Sequence, residues 1–408
     1  MLRFEDALAR ILALGSPPLA TESVDLEDAE GRVLAADLIA SFDLPGFDYS
    51  SMDGYAVRAR DLDGEPPYRL ALRGESRTGV VPAALEPGTT MRIFTGAAIP
   101  SFADAVVMQE NVARDGDIAV LSGKARAGHN VRRRGDDLAA GAVALAGGTR
   151  LRPAHLALAA ALDRATLAVA KRPVVTILST GDELRRPGTD PVPGTIPESI
   201  TVALRATARR AGATTQAAAF LRDERTSTER AFAAALDASD VLVTVGGVSV
   251  GDHDLVRPAL EAVGVKLEFW RVAIKPGKPI AVGTFARPGR RDALVIGLPG
   301  NPASAMVTFA LFGVPLLRAL QGDARPFPAF ARARMTRAHA HDAGRLEFAR
   351  AVVSQADAGF WVTTFGNQAS GAVTTMAQAD ALACIPEAAT GVGAGDEVDV
   401  LLMSDLCG

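Results

Sequence analysis

The pattern of apolar and polar positions changes texture twice along the chain. MLRFEDALARILALG at the start reads as an amphipathic helix, and PAHLALAAAL (153–162) as a buried helix begun by Pro153. Between them, residues 41–145 are rich in Gly and Pro. Short β-branched runs at Val80–Val81, Met91–Phe94, Ala105–Met108 and Ile118–Leu121 predict a mostly β domain with long loops there. From 173 onward, apolar runs alternate with amphipathic segments. VVTILST (174–180) is followed by a helix through ITVALRATARRAG, a run at 214–220, a helix over 225–238 and DVLVTV (240–245). A helix near 254–263 and strands near 267–273, 279–285 and 293–297 complete the series. This alternation predicts a doubly wound, parallel-sheet α/β domain. Beyond a linker at Arg325–Pro328, alternating strands and glycine turns predict a small β barrel or sandwich. The expected architecture is multidomain α/β. Segments 1–40 and 146–172 form N-terminal and linking helices and strands, 41–145 a β-rich loop domain, 173–324 the central α/β domain and 325–408 a C-terminal β domain.

Composition narrows the function classes. Lys+Arg total 43 against Asp+Glu 47, a formal net charge of -4, so the basic excess that grips nucleic acid is missing. Two cysteines, Cys384 and Cys407, fit a reducing compartment. The five histidines show no metal spacing; His339 and His341 alone are close, at a strand-like offset in a polar stretch. Val295–Leu317 is uncharged and long enough to cross a bilayer. Its breakers (Gly297, Pro299, Gly300, Asn301, Pro302, Gly313 and Pro315) instead suit a strand, a tight loop and a buried helix, so neither a membrane nor nucleic acid is expected as a partner.

Ligands of open α/β sheets bind outside the carboxyl ends of the strands. Here those ends lead to Gly181, Asp182 and Glu183; to Gly246, Gly247, Val248, Ser249, Val250, Gly251, Asp252, His253 and Asp254; to Lys275, Pro276, Gly277 and Lys278; and to Leu298, Pro299, Gly300, Asn301 and Pro302. Glycines let backbone amides approach an anion, and a helix N-terminus adds partial positive charge. Carboxylates beside phosphates repel unless a hard cation such as Mg²⁺ bridges them, and lysines neutralise oxyanions as point charges. Taken singly, GGVSVG is a tight turn, GDEL a helix cap and LPGNP a turn into a helix. Their occurrence at successive strand ends points to a site for a phosphorylated ligand with a divalent cation. The chain holds five lysines against 38 arginines, and two of the five are Lys275 and Lys278. Outside this domain, FDLPGFDYSSMDGYAVR carries Asp43, Asp48 and Asp53 among aromatics. Arg132, Arg133 and Arg134 precede Gly135, Asp136 and Asp137 and read either as a solvated face or as an oxyanion grip.

MDGYAVR, RIFTGAAIP with DAVVMQE, VRRRGDD, STGDEL, GGVSVGDHD, AIKPGKPI and GLPGNPASA occur in one order. Over essentially the full chain this series resembles the molybdopterin molybdenumtransferases, the MoeA proteins, and the matching domain of eukaryotic gephyrin and its plant counterpart. The resemblance implies a cytoplasmic, Mg²⁺-dependent enzyme that inserts molybdate into adenylylated molybdopterin and hydrolyses the phosphoanhydride to release AMP. It implies a central domain of molybdopterin-binding type and a homodimer whose cleft is shared between subunits. Transient contacts with other proteins of molybdenum-cofactor synthesis are implied as well. Carried over by motif, Asp53, Asp137, Glu183, Asp223 and Asp254 are the catalytic acids, with Glu183 and Asp254 holding metal. Thr95, Arg132, Gly246, Gly247, Ser249, Pro299 and Pro302 bind the pterin nucleotide, and Lys275, Lys278, Arg345 and Ser370 receive molybdate. Two departures stand out: Glu198, Ser199 and Ile200 replace an Asp-Ser-Asn triplet, and Ala379–Asp380 replaces an Ala-Asn pair. The alternatives are a molybdopterin adenylyltransferase, whose single-domain fold resembles 173–320, and a gephyrin-like scaffold. The flanking regions with Asp53, Arg132 and Ser370 argue against the first, and the retained acids and lysines against the second.

Overall fold

The computed structural model describes residues 1–216, 219–247, 255–356 and 359–407. Val174–Thr180, Val241–Val245 and Ala293–Leu298 are the adjacent central strands of a seven-stranded sheet. They read as continuous apolar runs because both faces are covered. Along them, Val175, Ile177, Val241, Val243, Leu294 and Ile296 face one layer of helices, including Ile200–Arg210 and Pro302–Leu320. Leu178, Leu242, Ala293 and Val295 face the other, formed by Arg225–Ala238 and Val256–Ala262. The period of two thus feeds two separate cores.

Thr214–Thr215 and Ala219–Leu221 pair with one edge of Val174–Thr180, and every pairing up to Ala293–Leu298 is parallel. Pro279–Phe285 then runs antiparallel to both of its neighbours, Ala293–Leu298 and Lys266–Arg271. The connections at 272–278 and 286–292 are too short for the crossover that a parallel pair requires. Because Lys266–Arg271 regains the common direction, the loop that follows it, with Lys275 and Lys278, emerges at the carboxyl edge.

Val295–Leu317 resolves into the end of a strand, a loop and a buried helix. Pro302–Leu320 is long and apolar enough to cross a membrane by length and composition, yet 83% of its apolar window is buried inside the protein. Pro302 starts it, and the helix widens to a π turn over Phe309–Gly313 just before Pro315, which has no N–H to donate.

Leu346–Ala356, Gly359–Thr364, Ala331–Met335, Glu397–Leu402 and Ala381–Ile385 close on themselves as a five-stranded barrel. Small side chains such as Ala333, Ala349, Ala351 and Ala383 suit its narrow interior, while Phe348, Leu382, Cys384 and Leu401 join the large α/β core outside. Ile274–Lys275 pairs in parallel with Leu346–Glu347 and stitches the barrel to the α/β carboxyl edge. The helix Phe4–Leu14 packs Phe4, Ala7 and Ile11 into that same large core, and the Phe4 ring lies 5.1 Å from that of Phe348.

Residues 41–145 hold a six-stranded sheet, in the order Ala105–Met108, Gly54–Val57, Thr89–Ile93, Tyr68–Ser76, Ile118–Leu121, Val112–Asp115. Val80–Val81, expected as a β run, instead lies in a turn region, and Val81 is 92% exposed. Thr21–Asp25 pairs with Thr166–Ala170, and Leu38–Ile39 with Val143–Leu145, around a further core that includes Leu34, Leu151 and Leu162.

Candidate active site

All four residues assigned to the oxyanion line one cleft of 480 Å³, together with Pro299 and Gly247. Three segments distant in sequence meet there. Lys275 and Lys278 ride the loop after Lys266–Arg271. Arg345 stands at the mouth of the barrel strand Leu346–Ala356. Ser370 lies ahead of the helix Val373–Gln378, its carbonyl accepting from the Ala303 amide at 2.9 Å. Gly277 makes the lysine loop possible: its φ is +100°, and a Cβ there would sit 2.1 Å from Thr308 Oγ1. The start of Pro302–Leu320 adds Asn301 and Ser304 to the wall.

Sequence reasoning passed over several residues here. Ser304 stands within GLPGNPASA and could have been singled out from that motif. Gln368 lines the cleft, its amide group bonded to the Arg350 backbone at 3.0 and 2.9 Å. Glu347 is 1% exposed and lies 3.1 Å from Lys275 Nζ. Burial would raise its pKa, but the contacts from His339, Lys275 and His341 outweigh that and hold it down to about 2. The stretch with His339 and His341, read as merely polar, therefore faces inward onto a buried carboxylate.

A second cleft of 260 Å³ adjoins the first and shares Gly247 and Gly300 with it. Glu183, Asp223, Gly246 and Pro302 line it. The Asp223 amide donates to Asp182 Oδ1 at 3.2 Å. Glu198 is buried in its wall and accepts from the Thr201 amide at 2.8 Å and from the Thr201 hydroxyl, capping the helix Ile200–Arg210. The triplet departure thus leaves a working helix cap, and Ile200 turns into the core. Ser249 and Asp254 lie outside the described residues. Among the described residues no group of three or more His, Cys, Asp or Glu is gathered for a metal.

Asp53, Thr95, Arg132 and Asp137 belong to the loop-rich region, and no residue of 41–145 lines either cleft. Asp53 Oδ1 accepts from the Thr95 amide at 2.8 Å and its hydroxyl at 2.9 Å; these two bonds, aided by Arg92, hold its carboxyl below the ordinary value. Gly54 lets this turn approach a neighbouring strand, since a Cβ would meet the Val107 carbonyl oxygen at 2.2 Å. Val131–Arg132 pairs with Tyr49–Ser50, close in sequence to Asp53. The arginine triplet divides: Arg133 pairs with Asp48 at 2.7 Å and Arg134 with Asp43 at 2.6 Å. Arg132, exposed, has no such ion pair among the described residues. Asp137 is exposed, and its amide donates to the Leu44 carbonyl at 3.0 Å.

A doubly wound sheet whose carboxyl edge carries a cationic and an acidic cleft side by side, fastened to a closed barrel, defines a multidomain α/β protein with its clefts at the strand ends. Residues 2–162 match the family described as "MoeA N-terminal region (domain I and II)", 176–319 "Probable molybdopterin binding domain" and 332–403 "MoeA C-terminal region (domain IV)". Molybdopterin molybdenumtransferase 2 of Mycobacterium tuberculosis is 37% identical, over 93% of this chain and 94% of that one. The molybdopterin molybdenumtransferase of Haemophilus influenzae is 34% identical over 100% of both. The crystal structure of a molybdopterin biosynthesis MoeA protein from Pyrococcus horikoshii superposes with a TM-score of 0.85 at 28% identity, covering 98% of this chain and 100% of that one. The chain belongs to the MoeA family.

Proposed function

We propose that this protein is a molybdopterin molybdotransferase, which inserts molybdate into the dithiolene of adenylylated molybdopterin and hydrolyses the phosphoanhydride to release AMP. The observation that carries the reading is the convergence of Lys275, Lys278, Arg345 and Ser370 on one cleft that opens onto the acidic cleft of Glu183 and Asp223. Molybdate is a doubly charged tetrahedral oxyanion. Two ammonium groups and a guanidinium answer its charge, and hydroxyl and amide donors its remaining oxygens. The shared wall of Gly247 and Gly300, with the start of Pro302–Leu320, offers close backbone approach for phosphate.

The acidic cleft fits Mg²⁺ in its chemistry. Glu183 and Asp223 supply hard carboxylate oxygens, to which the sequence adds Asp254, and a cation that keeps waters and takes ligands from phosphates needs only one or two carboxylates. When bound, the ion would offset the negative charge of the phosphoanhydride. Within the chain itself, Glu183, Asp223 and Asp254 orient water, and Asp53, held in place by Thr95, acts as an acceptor. We assign Asp53, Thr95, Arg132 and Asp137 to the same site through a homodimer, because neither cleft is lined by their region. A cytoplasmic location goes with this reading.

The test is AMP release from adenylylated molybdopterin by the purified protein. Release that depends on both molybdate and Mg²⁺ is expected. Synthesis of the adenylylated pterin from ATP would favour an adenylyltransferase, and no turnover in either direction would favour a scaffold.

A further inference from the structure

Behind the oxyanion cleft runs an unbroken line of polar contacts. Glu347 Oε1 lies 3.1 Å from Lys275 Nζ, and Oε2 lies 2.7 Å from His341 Nδ1. The other ring nitrogen of His341 lies 2.9 Å from the carbonyl oxygen of Arg345. His339 approaches the same carboxylate, with Nε2 3.4 Å from Oε2. The two cationic walls of the cleft, Lys275 and Arg345, are thus joined from behind through Glu347 and His341. The backbone repeats the connection, since Lys275 stands opposite Glu347 in the parallel pairing of Ile274–Lys275 with Leu346–Glu347.

A buried carboxylate carries a desolvation cost that an apolar side chain of similar volume would not. Glu347 and His341 are both buried, at 1% and 6% exposure, directly beneath a ligand cleft. A lysine stem has several rotatable bonds, and immobilising it during binding costs affinity. An ammonium already ion-paired from below has lost that freedom beforehand, with N–H donors left for the cleft.

We propose that Glu347, braced by His341, is a positioning residue that aims the Lys275 ammonium into the cleft and fixes its spacing from Arg345. The proposal rests on the reading of this cleft as the molybdate site. It predicts that Glu347 acts on the oxyanion through Lys275, with no effect on the pterin nucleotide.

The experiment compares the full-length protein with Glu347→Gln, Lys275→Gln and the double variant. Molybdate binding is measured by calorimetry, and half-saturation by adenylylated molybdopterin in parallel. Glu347→Gln should weaken molybdate binding roughly tenfold, the scale typical of groups that orient a ligand-bearing side chain, and leave the pterin value unchanged. In the Lys275→Gln background the same change should add nothing, because the two residues act as one unit. Normal molybdate binding by folded Glu347→Gln, beside a weakened Lys275→Gln, would overturn this proposal alone, as would losses that add in full. Normal binding by Lys275→Gln would overturn the molybdate reading of the cleft, and this proposal with it. If Glu347→Gln does not fold, His341→Gln takes its place, with the same selective loss expected and the same normal binding overturning the proposal.

Discussion

Thr95 donates twice to a single oxygen of Asp53, through its amide at 2.8 Å and its hydroxyl at 2.9 Å, across 42 residues of chain. The carboxyl therefore titrates below its ordinary 3.8. Thr95→Val keeps the amide bond and removes the hydroxyl, so the Asp53 titration should move up toward that value, whereas Thr95→Ser should hold it in place. Carboxyl-carbon NMR of the three proteins checks this. An unmoved Asp53 signal in Thr95→Val would remove the hydroxyl from the account.

Gly277→Ala should damage the oxyanion cleft from within its own loop. The new Cβ meets Thr308 Oγ1 at a φ of +100°, a backbone region that costs a non-glycine residue about 1–3 kcal/mol. Molybdate affinity should fall along with the melting temperature. Adding Thr308→Ala should relieve the clash and leave the backbone penalty, recovering only part of the loss.

Lys278→Ala should weaken use of molybdate while binding of the adenylylated pterin stays largely intact. Losing one charge-assisted contact costs roughly 1.5–3 kcal/mol, about one to two orders of magnitude in apparent affinity. Lys278→Arg should rescue incompletely, because a planar fork does not occupy the space of a compact ammonium. A loss confined to the pterin titration would instead assign this lysine to phosphate.

Glu347 makes the protein sensitive to acid in a defined window. Its carboxyl is held down to about 2 in the fold against an ordinary 4.5. A depressed carboxyl adds stability that is fully present above the unfolded value and is lost as pH falls through the folded one. That contribution, on the order of 3 kcal/mol, should therefore drain away between about pH 4.5 and 2. Melting temperatures across this range should fall less steeply in Glu347→Gln than in the parent protein.

Shared sites in a dimer have their own signature. Asp53→Ala and Glu183→Ala should each be inactive alone, and mixing them under subunit exchange should restore part of the activity. Two variants that stay dimeric, exchange subunits and remain inactive would confine the site to one chain.

The residues at strand ends were legible in the sequence because covered strands are apolar throughout and their termini follow directly. Val174–Thr180 and the loops carrying Glu183, Gly246 and Lys275 lie where the apolar runs predict. A small β domain, barrel or sandwich, was legible from alternation, its closure as a barrel only in the fold, and the MoeA family from motif order. The reversed direction of Pro279–Phe285 was not, since periodicity carries no sign of direction and only loop length does. Glu347 stayed hidden because its role depends on a pairing with Lys275 some seventy residues earlier, which no local pattern records. Arg133 and Arg134 are indistinguishable from Arg132 in sequence, and only the fold gives them Asp48 and Asp43 as partners.

The stitch between Ile274–Lys275 and Leu346–Glu347 gives the cleft a mechanical character. Its cationic walls come from the sheet and from the barrel, whose outer face shares the sheet's core, and backbone pairing joins the two again at the cleft. The spacing of Lys275 and Arg345 is thereby set by main-chain pairing at the cleft itself as well as by side-chain packing.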